Sequence, residues 1–97
     1  MIRAVEAAGG FAAVLHKGER EAGTILAVLT EKGGNSRLFE QMPDLEKGRV
    51  WVCSKIQDPE NPQEFGDYLE SRGARDPDLW IVELDIADGE RFIPSQG

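Results

Sequence analysis

The chain has 97 residues and a net charge of -7, from 18 carboxylates against 11 basic side chains. That length holds one hydrophobic core, and 40% hydrophobic with 30% charged residues describes a folded domain rather than a disordered one. The sign of the charge argues against nonspecific nucleic-acid binding, which needs clustered Lys and Arg, and apolar runs of about five residues are far shorter than the roughly 20 that span a bilayer.

Residues 2–8 have high helix propensity, with Ile2 and Val5 on one side, and Gly9 and Gly10 stop the helix. Two turns do not stand alone in water, so this helix should lie on a sheet. Residues 11–17 read as a strand in which Phe11, Ala13 and Leu15 share a face. It ends near His16, the one imidazole, which is read as structural because no carboxylate or serine motif lies beside it. The polar stretch 18–23, bracketed by Gly18 and Gly23, leads to the aliphatic run 24–30. Its apolar character on both faces predicts a central strand, and the short connection predicts an antiparallel hairpin with the strand before it.

A second turn at 31–35 leads to an amphipathic or edge strand over 36–42, and a polar break at 43–47 precedes a strand over 48–56. Connections this short predict a meander of four antiparallel strands. Cys53 in the last of them reads as a small buried hydrophobe. Asn61, Pro62 and Glu64 form a helix start in which Glu64 is placed to reach back to the cap. Phe65, Tyr68 and Leu69 then follow at helical spacing, with Gly66 placed to allow close approach to the sheet.

Pro77 bars Asp76 from the helical region, so the helix should end there in a tight turn. Residues 79–86 alternate, with Trp80, Val82, Leu84 and Ile86 on one face, and should return to the sheet as the most apolar strand near the C-terminus. A turn at Asp88 and Gly89 then allows residues 91–93 a short hairpin strand.

Motifs that carry chemistry are weak. Asp76, Asp78, Glu83, Asp85 and Asp88 lack the regular spacing of a calcium loop and read as a solvated acidic edge, so no metal site is expected. The loop from Gly18 to Gly23 holds Glu19 and Glu21 and opens onto a strand, the wrong context for phosphate. Hydrolysis has no nucleophile elbow to support it, and no cofactor is implied. The single cysteine cannot form an internal disulfide, which together with the lack of a secretion signal points to the cytoplasm.

Residues 17–26, Lys-Gly-Glu-Arg-Glu-Ala-Gly-Thr-Ile-Leu, and residues 75–84, Arg-Asp-Pro-Asp-Leu-Trp-Ile-Val-Glu-Leu, resemble the domain-of-unknown-function family number 1491, short proteins found mainly in alphaproteobacteria. The resemblance spans nearly the whole chain. Family members begin with an additional apolar, tryptophan-containing segment ahead of the first helix, which does not occur here. The family has no established activity, so the resemblance implies no catalytic residues.

The expected fold is one α+β domain over residues 1–97. A mainly antiparallel sheet of about five strands carries two helices on one face, the longer over 62–73, covering Trp80, Val82 and Leu84. The expected function is a noncatalytic interaction or regulatory module that binds a protein partner or a second copy of itself, with neither nucleic acid nor membrane involved. The alternative is a small enzyme or metabolite-binding domain, its pocket lying where the Gly18 to Gly23 loop meets the Arg75–Asp76 turn. Candidate binding residues are Gly18, Glu21, Gly23, Arg75, Asp76 and Trp80.

Overall fold

The computed structural model describes residues 2–20 and 24–93. In chain order the elements are α1 (Ile2–Ala7), β1 (Phe11–His16), β2 (Ile25–Glu31), β3 (Gly34–Asp44), β4 (Gly48–Ile56), α2 (Pro62–Arg75) and β5 (Trp80–Asp85). A short 3-10 turn over Gly89–Phe92 follows. The fold is α+β, a five-stranded and mostly antiparallel sheet with two helices, as its composition and periodicity predict.

The strand order is β1-β5-β2-β3-β4. β2 is the middle strand, and its residues Leu26 to Thr30 are all buried, which matches its continuous apolar sequence. β2, β3 and β4 form the expected antiparallel meander. The expected β1–β2 hairpin does not form, because β5 lies between these strands, antiparallel to β1 and parallel to β2. The physical reason is burial. Leu79, Ile81, Val82 and Leu84 are all nearly inaccessible, and a strand apolar on both faces is served best by neighbours on both edges. The connection after β1 can step over one strand, a distance of about 10 Å.

Because β2 and β5 bury side chains on both faces, the sheet needs cover on both. On one face Val5 of α1 and Ile93 pack with Ala27, Leu29, Phe39, Trp51, Val82 and Leu84. On the other, Phe65 and Leu69 of α2 pack with Leu26, Val28, Leu38, Leu79 and Ile81. The helices therefore lie on opposite faces rather than on one. Val82 and Leu84 pack in the cluster on the α1 side, and Trp80, partly buried, belongs to neither core cluster.

Four smaller expectations also change. Residues 91–93 form no strand, since both edges of β5 are already occupied. The chain turns instead through Asp88 in the left-handed region (φ 54°) into the 3-10 turn. Cys53 is exposed rather than buried, because it sits on the edge strand β4 while α1 lies over β1 and β5 at the other side. Asn61 caps α2 without a side-chain hydrogen bond, and Glu64 accepts from Lys55 Nζ at 2.9 Å instead of reaching back to the cap. α2 also runs two residues beyond the expected Gly73, to Arg75.

Candidate functional site

The entry into β5 is set by backbone contacts between the segment after β1 and the turn before β5. A side chain at Gly18 would drive its Cβ into the carbonyl group of Asp78, so only glycine fits there. The Glu19 amide donates to Asp78 O at 2.9 Å, the Trp80 amide donates to Thr24 O at 2.8 Å, and the Trp80 indole Nε1–H donates to Glu19 O at 2.7 Å. The turn itself is held by Asp76. Its carbonyl accepts the Leu79 amide at 3.1 Å, and its Oδ1 accepts the Asp78 amide at 3.2 Å, the Asx-type closure expected before a proline.

Gly18, the Asp76 turn and Trp80 are thus brought to one place. Arg75 is tied to its own helix: its Nε–H donates to Ser71 O at 3.4 Å, within the last turn, where a cation also suits the helix dipole. Glu21 and Gly23 lie outside the described residues. The acidic residues 76, 78, 83, 85 and 88 do not gather. Asp76 and Asp78 sit before β5, whereas Asp85 closes its far end by accepting the Lys32 amide at 2.8 Å. Among the described residues no group of three His, Cys, Asp or Glu side chains is placed to hold a metal ion.

His16 locks β1 to the helix and to β5. Its Nδ1 lies 2.5 Å from Leu79 O, and since a carbonyl only accepts, Nδ1 carries the proton. Gly73 of α2 lies against the other side of the ring. A Cβ added at Gly66 would meet nothing within 4 Å, so the close approach expected at Gly66 belongs to Gly73.

Three concave regions bear on function. Beside Trp80, a hollow of about 300 Å³ is lined by Ile2, Val14, Glu19, Arg20, Ile25 and Val82. It runs onto β1, where Phe11 is 74% exposed and Val14 and Leu15 about half exposed. At the opposite end, beyond the carboxyl ends of the parallel pair β2 and β5, lie two clefts. One, of about 460 Å³, is lined by Asn35, Arg37, Gln57, Asp88, Glu90 and Arg91, with Arg37 paired to Glu90. The other, of about 530 Å³, is lined by Gly9, Gly10, Phe11, Lys32, Asp85 and Ile86. Lys32, Asn35 and Asp88, the three non-glycine residues at positive φ among those described, all border these clefts.

The open edge of β1 is not legible as such from the sequence. Phe11, Ala13 and Leu15 announce a strand, but its place at the end of the sheet follows only from the insertion of β5. The one signal is compositional: from Phe11 to Leu15 there is no charge and no proline, the residues that usually guard an edge.

The family model described as "Protein of unknown function (DUF1491)" matches residues 1–94. A crystal structure of a DUF1491 family protein from Caulobacter crescentus CB15 superposes with a TM-score of 0.78 at 30% identity, covering 98% of this chain and 88% of that one. An NMR structure of a DUF1491 family protein from the same organism gives 0.76 at 31% identity, over 98% and 86% of the two chains. A protein from A. tumefaciens solved in solution gives 0.70 at 30% identity, over 99% and 88%. Among proteins with curated descriptions, none matches the chain.

Proposed function

The chain belongs to the DUF1491 family, whose function is unknown, and from that premise we propose that it is a noncatalytic interaction module whose docking surface is the β1 edge with the hollow beside Trp80. The observation that supports this reading is the exposed, uncharged strand β1, with Phe11 74% in solvent. A strand edge offers a row of backbone donors and acceptors, and exposed apolar side chains beside it add affinity. Trp80 is held rigidly by its bond to Glu19 O, so it presents a fixed aromatic wall with little entropy to lose on binding. The free, exposed thiol of Cys53 fits a reducing cytoplasm.

The alternative, a small enzyme or metabolite-binding domain, draws less support from the Gly18 side. There the described residues meet through backbone hydrogen bonds and van der Waals contact, leaving no room between Gly18 and Asp78. The clefts beyond β2 and β5 are its better location.

Two experiments separate the readings. A tagged chain expressed in its source cells should recover a stoichiometric protein, and the Phe11→Lys/Leu15→Lys double variant should lose it while keeping its fold. A thermal-shift screen of nucleotides and metabolites should leave the melting temperature unchanged. A metabolite that stabilises the chain by several degrees, with its effect removed by Arg37→Ala rather than by the β1 variant, would establish the alternative.

A further inference from the structure

We propose that the occupant of the β1 edge is a second copy of this chain, paired antiparallel through the same strand, so that two five-stranded sheets join into one. This deepens the interaction-module reading and rests on it.

The two ends of the sheet differ in a way that selects this partner. Among the described residues β1 pairs only with β5, on its inner side, and from Phe11 to Leu15 it carries no ionisable side chain. Two copies of a chain with net charge -7 repel over most of their surface, but pairing residues 11–15 with their own copy sets uncharged side chains opposite one another. β4, the other end, is guarded. It carries Arg49 and Lys55, its ladder is interrupted by an extra residue at Ser54, and Lys55 is tied to Glu64 of α2 at 2.9 Å. Joining β1 to β1 leaves only guarded edges at both ends of the combined sheet. Growth therefore stops at two copies, related by a closed two-fold axis.

The edge is short. β1 has its own irregularity at Leu15, which confines regular pairing to Phe11 through Val14, with Ala12 and Ala13 small enough at the centre for close approach. Val14 borders Ile2, Ile25 and Trp80 in the adjoining hollow, so the apolar contact extends beyond the ladder. An interface of this size gives a reversible dimer whose population depends on concentration.

Sedimentation equilibrium over a concentration series tests this. The wild-type mass should rise from the 10.7 kDa of one chain towards twice that value. Phe11→Lys/Leu15→Lys, at two exposed side chains, should raise the dimer Kd by at least about tenfold. Its far-UV circular dichroism at low concentration should match wild type. If that variant melts early, Phe11→Ser replaces it and must weaken the dimer too. Ile56→Lys, 68% exposed on β4, should leave Kd unchanged. A wild type that stays monomeric throughout, or a dimer lost in Ile56→Lys and kept in the β1 variants, overturns the proposal. A monomer that still captures a different protein through β1 refutes only the second copy as occupant, whereas a monomer that captures nothing refutes the interaction module as well.

Discussion

Gly73 of α2 faces the His16 ring so closely that a Cβ there would lie 2.7 Å from its Cδ2, and the ring is fixed by its bond to Leu79 O. Gly73→Ala should therefore destabilise the chain by about 1–3 kcal/mol, the usual result of overpacking a fixed contact. Gly66, on the same helix, has open space where a Cβ would stand, and Gly66→Ala should stabilise by about 0.5–1 kcal/mol through the unfolded chain. Urea unfolding of the two variants checks both signs. If they move together, His16 does not hold α2 in the way described. Asp76→Ala removes the side-chain bond to the Asp78 amide and should cost about 1 kcal/mol, lowering the melting temperature by roughly 4–8 °C. An unchanged melting temperature would mean that Pro77 and the backbone bonds hold the turn by themselves.

At the scale of elements, α2 is clasped to β3 and β4 by a polar network on the side away from His16. Arg72 Nη2 donates to Glu40 Oε1 at 2.9 Å, Arg72 Nη1 donates to Tyr68 Oη at 3.0 Å, and Ser54 Oγ donates to Glu40 Oε2. Lys55 lies over the Tyr68 ring, 4.8 Å from its centre. Burial alone would raise the pKa of Glu40. The hydrogen bonds from Arg72 and Ser54 and the Arg72 charge outweigh it and bring the carboxyl below its ordinary value of 4.5, while the bond to Glu40 raises that of Arg72. A carboxylate whose folded pKa is depressed gives its full stabilisation above its unfolded value and loses it as pH falls through the folded one. Wild type should therefore exceed Glu40→Gln in stability at neutral pH, and the gap should close as pH falls below about 4.5. Chemical denaturation at several pH values measures it. A gap that stays constant with pH would show that Glu40 acts by shape rather than by charge.

The elements are more legible in the sequence than their arrangement. β2 is readable because seven consecutive apolar or β-branched residues, 24–30, leave no polar face, and α2 because Asn61, Pro62 and the Phe65–Leu69 spacing agree. The capping detail is not readable, since Glu64 is equally placed to cap its own helix or to meet Lys55, and only the packed structure brings Lys55 close.

At the scale of the whole molecule, sequence reasoning favours a hairpin between β1 and β2 because a short connection usually joins neighbours. The alternation in β5 marks a strand with apolar residues on both sides but not where it inserts. That insertion splits the helices onto opposite faces, frees β1 as an edge, and leaves the concave ground at both ends of β2. Of the candidate residues, Gly18, Asp76 and Trp80 come together in space, a juxtaposition readable because the glycine, the Asp-Pro turn and the aromatic after it are local signals. The exposure of Phe11, Val14 and Leu15 escapes sequence reasoning because a place at an edge is a property of pairing, which no single strand encodes.

The reading that β1 is the docking edge is tested most directly by hydrogen exchange followed residue by residue, with the chain free and dilute and then with its occupant bound. The predicted result is fast exchange within residues 11–15 of the free chain, slow exchange in β2 and β5, and new protection in residues 11–15 on binding. Residues 32–37 and 88–91, which border the far clefts, should not change. Protection confined to those clefts, with β1 unaltered, would contradict it.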